Sequence, residues 1–279
     1  MNRPAVEYNL AASTLRRAQL NPERTALVFE EQQYTYGEFG DRVRRQAALL
    51  RAQGVCVGDR VGYLGFNHPA LLETLFAAHA LGAIFVPLNF RLTGQELTFI
   101  INDAGIHTLI VDDALLPVIE PVRDELCCRN FYTSESEAPG WGHLSTASAE
   151  AEPLHSVVSV DQHDVAIIMY TSGTTGLPKG AMLTHGNIVW NNINASLAFG
   201  GSRDDVILTV APLFHIGGLN VMTLGSFNTG SNLVLLRNFD PVQVLVDIQR
   251  YHVSHMFGAP AMYLFMAQQP QFADTDLTS

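Results

Sequence analysis

The sequence predicts an α/β fold made of two βα subdomains, with largely parallel sheets and helices packed between and around them. Three observations support this prediction. Segments with helical apolar spacing alternate along the chain with short apolar runs typical of buried strands, and short turns separate them. The length of 279 residues and the apolar content of 47% are sufficient to bury such cores. No repeat of fixed period and no low-complexity run suggests another architecture.

The first half of the chain shows the clearest alternation. Thr35 precedes Glu38 by three residues, a capping box that opens a helix ending at Gly54. A second capping box, formed by Thr93 and Glu96, opens another helix. Strands are predicted at residues 60–66, 83–88 and 107–111, and a further helix at 69–82. Strands joined by helices in this order predict one sheet wound with helices.

The stretch from Asp124 to Asp161 interrupts this pattern because its residues are mostly small, polar and acidic. We expect a surface loop here. The boundary between the subdomains is therefore placed in this region, with residues 1–160 forming the first subdomain and residues 161–279 the second.

The second half again alternates strands and helices. Asp240 and Pro241 are typical residues for the start of a helix, and Thr184 is a candidate cap for another. Strands are predicted at 163–170, 206–212, 232–237 and 254–257, and helices at 184–200, after 218, from 241 and at 260–268.

Composition narrows the class of protein. The net charge is -11 and the basic residues are scattered, so no basic surface is available to bind nucleic acid. The cysteines are odd in number and two are adjacent, which suits a reducing compartment. Because the sequence shows neither an apolar signal segment nor an uninterrupted apolar run of membrane-spanning length, we predict a cytoplasmic protein without a transmembrane segment.

A loop rich in glycine and hydroxyl side chains, YTSGTTGLPKG, follows the strand at 163–170. Glycines let backbone N–H groups converge on an anion, and hydroxyls add donors around it. Lys179 is the single lysine among 16 basic residues, and its flexible stem suits a moving polyphosphate better than a fixed arginine fork. The common P-loop has its lysine directly after a glycine and before a helix, whereas here a strand-like segment follows. We therefore predict a phosphate-binding loop between two strands, the alternative being an ordinary hairpin.

The string TSGTTGLPKG, followed by TH and a helix, resembles the signature of the adenylate-forming enzymes. This family includes acyl-CoA synthetases, firefly luciferase and nonribosomal peptide adenylation domains. Three further segments resemble, in order and spacing, the N-terminal domain of the fatty acyl-CoA synthetase branch: YTYGEFGDRVRRQAALL, GDRVGYLGFNHPALLETLFAAHALGAIFVPLNFRL and APLFHIGGL. The resemblance covers essentially the whole chain and implies an incomplete N-terminal domain, with the C-terminal domain absent.

The resemblance implies an ATP-dependent acid–thiol ligase as the full-length parent. Such enzymes use ATP and Mg²⁺ to convert a carboxylic acid to an acyl-adenylate, and the thiol of CoA then displaces AMP. The partners implied are a small-molecule carboxylic acid, here a fatty acid, together with ATP and CoA. By the family pattern, the β- and γ-phosphates of ATP would be held by Thr171, Ser172, Gly173, Thr174, Thr175, Gly176 and Lys179.

The segment PLFHIGG supplies the implied catalytic residue, His215, which in the family lies beside the carboxylate and moves when the thiol enters; the alternative is a packed core histidine. The implied acyl pocket comprises His215, Gly217, Val221, Met222, Gly258 and Ala259. These small or apolar side chains favour a hydrocarbon tail over an amino acid, whose ammonium needs an acidic partner.

Two further candidates concern CoA and metal binding. Arg237 occupies a position that is often basic in the family and is a candidate contact for a CoA phosphate, the alternative being a solvated strand end. His252 and His255 lack a third ligand nearby, so no metal site is predicted in the chain.

Three functional hypotheses remain open. The family's adenine contacts, its magnesium-binding glutamate and its second catalytic lysine match nothing in residues 1–279, so we expect this chain alone to be inactive. It is then the N-terminal part of an acyl-CoA synthetase, a non-enzymatic remnant that binds acyl groups or nucleotides, or a fragment of an acyl-AMP ligase that serves a carrier protein. Self-association, as a homo-oligomer, is left open.

Overall fold

The computed structural model describes residues 8–171 and 176–279. Its helices are α1 (Leu10–Leu20), α2 (Tyr36–Ala52), α3 (Pro69–Ala80), α4 (Gly94–Ala104), α5 (Leu116–Ile119), α6 (Leu144–Ala149), α7 (His185–Phe199), α8 (Ile216–Gly218), α9 (Leu224–Thr229), α10 (Pro241–Tyr251) and α11 (Pro260–Ala267). Its strands are β1 (Thr25–Phe29), β2 (Gln32–Thr35), β3 (Arg60–Leu64), β4 (Ile84–Leu88), β5 (Ile106–Val111), β6 (Asn130–Thr133), β7 (Gly142–His143), β8 (Val165–Thr171), β9 (Lys179–Thr184), β10 (Val206–Thr209), β11 (Asn232–Leu235) and β12 (His255–Phe257).

The strands form two sheets. A seven-stranded sheet has the order β7-β6-β5-β3-β4-β8-β9, and a five-stranded sheet has the order β12-β10-β11-β1-β2. Neighbouring strands are parallel except for the pairs β8–β9 and β1–β2, which are antiparallel. Helices connect the consecutive parallel strands, as crossover connections commonly do, except for β6 and β7, which residues 134–141 join without a helix. The predicted α/β fold with largely parallel sheets is confirmed.

Two compact units share the chain, and they interleave along the sequence. One contains the described parts of Met1–Leu15, Gly40–Gly65 and Ala70–Val189, and the other contains Arg16–Phe39, Phe66–Pro69 and Trp190–Ser279. The interleaving has a simple cause: β8 and β9 extend the seven-stranded sheet, whereas β1 and β2 extend the five-stranded sheet. The sequence-based division near residue 160 remains a prediction.

The expected surface loop between residues 124 and 161 is wrong in part. Strands β6 and β7 and helix α6 lie within it, and β6 pairs with β5 from Thr108↔Asn130 to Val111↔Thr133. Tyr132, Leu144 and Leu154 are buried. Backbone pairing at the edge of the sheet and a few widely spaced buried side chains stabilise this segment. Neither the pairing nor the spacing is evident from a composition of mostly small and polar residues.

Local signals account for the principal helix ends. In α2 the Glu38 carboxylate accepts from the backbone N–H of Thr35 at 2.8 Å, and the hydroxyl of Thr35 accepts from the N–H of Glu38 at 3.1 Å. Helix α4 begins with the equivalent box and ends at Gly105, whose φ of 63° is left-handed. Asp240 caps α10. These predicted helix starts are confirmed.

Two strand ends, one in each unit, lead into the candidate segments. Strand β8 leads from its carboxyl end into the glycine-rich loop, and β10 leads from its carboxyl end into the segment before α8. Ligands of open parallel sheets bind at such ends. Within the part of the chain that is described, no helix combines the length and apolar character that a membrane span requires.

Candidate active site

The hairpin formed by β8 and β9 brackets the glycine-rich loop. Thr171 pairs with Lys179 and Tyr170 pairs with Gly180 in the antiparallel ladder, so the predicted arrangement of a loop between two strands is confirmed. The side chain of Lys179 is exposed. Gly176 has a φ of 97°, and a Cβ at this position would have no atom within 4 Å. The carboxyl-terminal side of the loop, residues 176–179, therefore combines a glycine in the left-handed region, open space beside it and a cation.

Four of the predicted phosphate ligands lie outside the described residues: Ser172, Gly173, Thr174 and Thr175. Their contacts with ATP, like those of Thr171, Gly176 and Lys179, remain predictions. The composition of residues 171–179 suits a triphosphate, because the segment contains hydroxyls, glycines and one ammonium but no carboxylate.

Tight packing fixes the base of the hairpin. A Cβ on Gly180 would lie 2.8 Å from Cγ2 of Ile168 and 3.2 Å from Cζ of Tyr170, so only glycine lets these side chains cross the ladder here. The hydroxyl of Tyr170 donates to Oδ2 of Asp103 on α4 at 2.5 Å. Burial, and then the neighbouring Asp103, raise the pKa of Tyr170 above its usual value. The strand that carries the loop is thereby joined to α4.

Two buried histidines also support β8. The Nε2–H of His79 donates to the carbonyl oxygen of Ala166 at 2.9 Å, and the backbone N–H of His185 donates to the carbonyl of Asp164 at 3.0 Å. Burial, and then the neighbouring His185, lower the pKa of His79 to about 3; burial lowers the pKa of His185 to about 4. Both rings are therefore neutral at physiological pH.

His215 lies at the start of α8, as the sequence predicts. Its Nδ1 accepts from the backbone N–H of Gly217 at 3.1 Å, and its side chain is exposed. Because Nδ1 is an acceptor in this bond, the neutral ring carries its proton on Nε2. The exposed ring thus presents a hydrogen-bond donor at Nε2.

Asn67 holds the segment before His215 and was not among the sequence candidates. Its Nδ2 donates to the carbonyls of Ala211 at 3.1 Å and Leu236 at 3.0 Å, and its Oδ1 accepts from the N–H of Leu213 at 2.8 Å. The side chain is buried. Its place directly after the predicted strand at 60–66 was the available signal, since polar side chains at such strand ends often serve sites.

A π-helical turn, Leu219–Thr223, connects α8 to α9. The hydroxyl of Thr223 donates to the carbonyl of Gly218 at 2.6 Å and lies 2.7 Å from the hydroxyl of Thr209. Such turns are frequent at functional sites because they displace side chains from helical register. Nothing in the apolar spacing of the sequence distinguishes this turn from an α-helix.

The turn contributes two predicted pocket residues to one cavity. Val221 and Met222 both line a small cavity of about 40 Å³. Gly217 is not one of its lining residues and packs instead on Phe257, since a Cβ there would lie 2.8 Å from Cε1 of that ring. Met222 and Phe257 together line a second, smaller cavity.

Gly258 and Ala259 follow β12 and do not line either cavity. A Cβ on Gly258 would lie 3.3 Å from the ring of Tyr263, and Ala259 is exposed directly before α11. The structure therefore brings Val221 and Met222 together in one cavity but places these two residues elsewhere. Their contact with an acyl group remains a prediction.

Arg237 lies after β11 and is partly buried. Its Nε is 3.3 Å from Oε1 of Glu30, and its guanidinium carbon lies 5.3 Å from the centre of the Phe29 ring. A carboxylate and an aromatic ring therefore already orient this cation. Its contact with CoA remains a prediction.

In the described ranges, no group of three or more His, Cys, Asp or Glu side chains is arranged to hold a metal ion. His255 pairs with Asp205 at 3.7 Å. Burial, and then the neighbouring Cys127, raise the pKa of the Cys128 thiol, which keeps it protonated and unreactive.

Comparison with known proteins places this architecture in a family. A sequence model of one family, described as AMP-binding enzyme, matches residues 15–279. The chain belongs to the AMP-binding enzyme family. The chain spans about half the length of the curated relatives it matches.

Three relatives illustrate the range of acids named within this family. The chain is 41% identical over 270 residues to a feruloyl-CoA synthase of Amycolatopsis, covering 97% of this AMP-binding enzyme chain and 52% of that protein. It is 36% identical over 267 residues to an indoleacetate–CoA ligase of Aromatoleum aromaticum, covering 95% and 52% respectively. It is also 36% identical over 239 residues to a long-chain-fatty-acid–CoA ligase of Thermus thermophilus, covering 84% and 43%.

Solved structures support the same fold. The N-terminal domain of FACL13 from Mycobacterium tuberculosis superposes with a TM-score of 0.84 at 28% identity, covering 97% of this AMP-binding enzyme chain and 67% of that chain. An anthranilate CoA ligase in complex with anthranoyl-AMP superposes with a TM-score of 0.91 at 24% identity, covering 99% and 54%. The second similarity concerns the fold alone.

Proposed function

We propose that this AMP-binding enzyme acts as an acyl-CoA synthetase. In the first step the carboxylate attacks the α-phosphorus of ATP, forming an acyl-adenylate and releasing pyrophosphate. In the second step the CoA thiol attacks the acyl carbon, forming the thioester and releasing AMP and the thiol proton. The observation that carries the proposal is the β8–β9 hairpin, which places the single lysine of the chain opposite Thr171 at the end of a glycine- and hydroxyl-rich loop.

The loop would act electrostatically. Its backbone N–H groups and hydroxyls would surround the β- and γ-phosphates, while the ammonium of Lys179 would offset the charge that grows on departing pyrophosphate. Mg²⁺, when bound with the triphosphate, supplies further charge neutralisation. At position 176 glycine adopts its φ of 97° without steric cost.

His215 would orient the acid. With Nδ1 engaged by the N–H of Gly217, its Nε2–H is available to donate to the substrate carboxylate. Rotation of this exposed ring would then clear the path of the thiol in the second step. Arg237 would contact a CoA phosphate from the end of β11.

The acid is proposed to be a compact aromatic or aryl-bearing carboxylic acid. Two of the relatives described above are named for feruloyl and indoleacetate groups, and these two have the higher identities among the three relatives or match the third. The fatty acid expected from the sequence is the second candidate, favoured by the 36% identity to the long-chain-fatty-acid–CoA ligase.

An acid panel tests the proposal on the complete gene product. Cinnamic, phenylacetic, octanoic and palmitic acids are each incubated with ATP, Mg²⁺ and CoA, and pyrophosphate and thioester are measured separately. Thioester formation with the aromatic acids is the expected result, and preference for palmitate would favour the second candidate.

Pyrophosphate without thioester, together with acylation of a phosphopantetheinyl carrier protein, would indicate the carrier-protein ligase. Acid binding without pyrophosphate from any acid would overturn the proposal in favour of a non-enzymatic remnant. Residues 1–279 alone are expected to show no ATP–pyrophosphate exchange.

A further inference from the structure

The end of the β8–β9 hairpin extends beyond the backbone pairing that joins it to the neighbouring strand. Strand β8 pairs with β4 at Phe85↔Ile167, whereas its ladder with β9 continues to Thr171↔Lys179. Strand β9 lies at the edge of the seven-stranded sheet, and its residues 179–182 are exposed. Thr171 and Lys179, which border the predicted phosphate loop, are therefore paired with each other at the edge of the sheet, where backbone pairing is weakest.

The side chain of Tyr170 reaches from this hairpin end to helix α4. Its ring covers the backbone of Gly180, since a Cβ on that glycine would lie 3.2 Å from Cζ of the ring. The ring also packs against the core cluster to which α4 contributes Leu97 and Ile101. Beyond the ring, the hydroxyl donates to Oδ2 of Asp103 at 2.5 Å. Tyr170 thus joins both strands of the hairpin end to the helix.

The helix end that receives this hydrogen bond is itself fixed on two sides. The side-chain Oδ1 of Asn102 accepts from the backbone N–H of Cys127 at 2.8 Å. The carbonyl of Ala104 accepts from Nε of Arg60 at 2.6 Å. Asp103 lies between these two anchored residues. A hydrogen bond to its carboxylate therefore ties the hairpin to a rigid element of the fold.

The position of Asp103 is unfavourable within its own helix. It lies in the last turn of α4, where the helix dipole disfavours a carboxylate. Its side chain is exposed, so burial does not explain its presence. Within the described ranges the carboxylate bonds to Tyr170 and not to a cation. A charge that opposes a local preference and bonds to a distant strand points to a role in that strand.

We infer that Tyr170 and Asp103 form a positioning pair that keeps Thr171 and Lys179 in register for the triphosphate of ATP. The inference rests on the proposed acyl-CoA synthetase function and deepens it, because it assigns ATP affinity, and not the choice of acid, to this contact. A hairpin end held in one arrangement binds with its full intrinsic affinity. One that frays binds in proportion to the fraction of molecules in the competent arrangement.

Kinetics of the complete gene product test the pair. Tyr170→Phe keeps the ring over Gly180 and removes only the hydroxyl, whereas Asp103→Leu removes the acceptor. In ATP–pyrophosphate exchange, each should raise the KM for ATP about tenfold and leave kcat and the KM for the acid within about twofold of the wild type. Because both variants lose the same hydrogen bond, the double variant should resemble either single variant. Asp103→Asn, whose amide oxygen still accepts, should restore most of the affinity.

Tyr132→Phe is the matched control. It removes a tyrosine hydroxyl from β6, which β5, β3 and β4 separate from β8 in the same sheet. Its KM for ATP should equal that of the wild type. An unchanged KM for ATP in Tyr170→Phe, or additive effects in the double variant, would overturn the inference. A parallel rise in the KM for the acid would also overturn it, because a general loosening of the fold would then be the cause.

Hydrogen exchange of backbone amides tests the tie independently of catalysis. Peptides from β8 and β9 should exchange faster in Tyr170→Phe than in the wild type, whereas peptides from β3 and β5 should not change. Equal exchange at the hairpin would overturn the inference even if thioester forms in the acid panel.

Calorimetric titration with ATP decides the case in which no acid yields pyrophosphate or thioester and the proposed function fails. About tenfold weaker binding of ATP by Tyr170→Phe would then still support the positioning pair. Equal binding of ATP by the variant and the wild type, or no binding by either, would overturn the inference as well.

Discussion

The imidazole rings of His79 and His185 lie edge to face in the interior of the first unit, with centroids 5.0 Å apart and planes inclined at 66°. His79 is 0% exposed and His185 is 1% exposed. Among the described residues, neither Nδ1 has a hydrogen-bond partner. His79 contacts β8, the strand that leads into the candidate phosphate loop. Protonation of the histidine pair would therefore disturb this strand as well as the core.

Stability of the protein should therefore depend on pH in the acid range. The folded pKa values of about 3 for His79 and about 4 for His185 lie below the ordinary value of 6.5. The unfolded chain then binds more protons than the folded chain below pH 6.5, so stability is full above this pH and is lost as the pH falls toward the folded values. Each histidine contributes a decrease of up to about 1.4 kcal/mol per pH unit. Urea denaturation at a series of pH values between 7 and 4.5 measures this decrease in the free energy of unfolding.

His79→Gln provides the control, because glutamine keeps a donor for the carbonyl of Ala166 but does not titrate. The variant is expected to be less stable at pH 7 yet to lose stability less steeply on acidification. His155→Gln, on an exposed segment, should leave the slope unchanged. Identical slopes for wild type and His79→Gln would contradict the assignment.

Lys179→Ala should impair adenylate formation without affecting the fold. Loss of one group that stabilises transition-state charge costs about 10²- to 10³-fold in rate, whereas an exposed side chain contributes within about 0.5 kcal/mol to stability. Lys179→Arg keeps the charge but not the compact head, so an intermediate rate is expected. ATP–pyrophosphate exchange and thermal unfolding of the complete enzyme measure the two effects. Arg51→Ala removes an exposed positive charge elsewhere and should match the wild type; a wild-type rate for Lys179→Ala would refute the phosphate role.

Much of the fold follows from patterns that act over a few residues. The capping boxes at Thr35 and Thr93 and the Asp240 cap each set a helix start, because both partners lie within one turn. Pairing between strands distant in sequence was harder to foresee. Strand β1 lies beside β11 in parallel register, Leu27↔Leu233, and no local periodicity specifies that choice.

In the candidate site, too, the local features were predictable from the sequence and the long-range contacts were not. The hairpin that ends at Thr171 and Lys179 was predictable because its chemistry lies in one continuous string. The contacts of Asn67 were not predictable from the sequence because they join it to backbone groups of the distant residues Ala211, Leu213 and Leu236. A single amide in a helix or after a strand carries no pattern by which sequence alone distinguishes it from a surface residue.

Gly217 and Gly218 should respond very differently to alanine. A Cβ on Gly218 would lie 2.3 Å from the carbonyl oxygen of Pro212 and 2.7 Å from that of Ala211, and backbone atoms have little freedom to move. We expect Gly218→Ala to lower the free energy of unfolding by about 2 to 4 kcal/mol. The contact made by Gly217→Ala is with the Phe257 ring, which is 37% exposed and able to rotate away, so a loss below about 1 kcal/mol is expected. Urea denaturation of both variants compares them, and equal losses would show that the two glycines are under the same constraint.

Asn67→Ala should destabilise the second unit and weaken acid binding together. Truncation leaves the carbonyls of Ala211 and Leu236 and the N–H of Leu213 without their buried partner, at a cost of about 2 to 4 kcal/mol. Because residues 211–213 lead directly to His215, the carboxylate donor would also lose its fixed position. Urea denaturation and titration with cinnamate measure both effects. Asn238→Ala, at an exposed asparagine, is the matched control, and a stable variant with weakened binding would assign Asn67 to the site alone.

Arg237→Ala tests the predicted CoA contact. A partly exposed ion pair such as that with Glu30, at 3.3 Å, contributes about 1 kcal/mol or less, so the fold should tolerate the change. A charge-assisted bond to a phosphate is stronger, and its loss should raise the KM for CoA about tenfold while pyrophosphate release in the first step stays unchanged. Glu30→Gln removes the competing carboxylate and should lower that KM or leave it as it is. The decisive comparison uses CoA and 3′-dephospho-CoA with each variant: if Arg237 binds the 3′-phosphate, the wild type distinguishes these acceptors and Arg237→Ala does not. A KM for CoA that is unchanged in Arg237→Ala would leave the cation with the purely structural role of pairing with Glu30 and packing on Phe29.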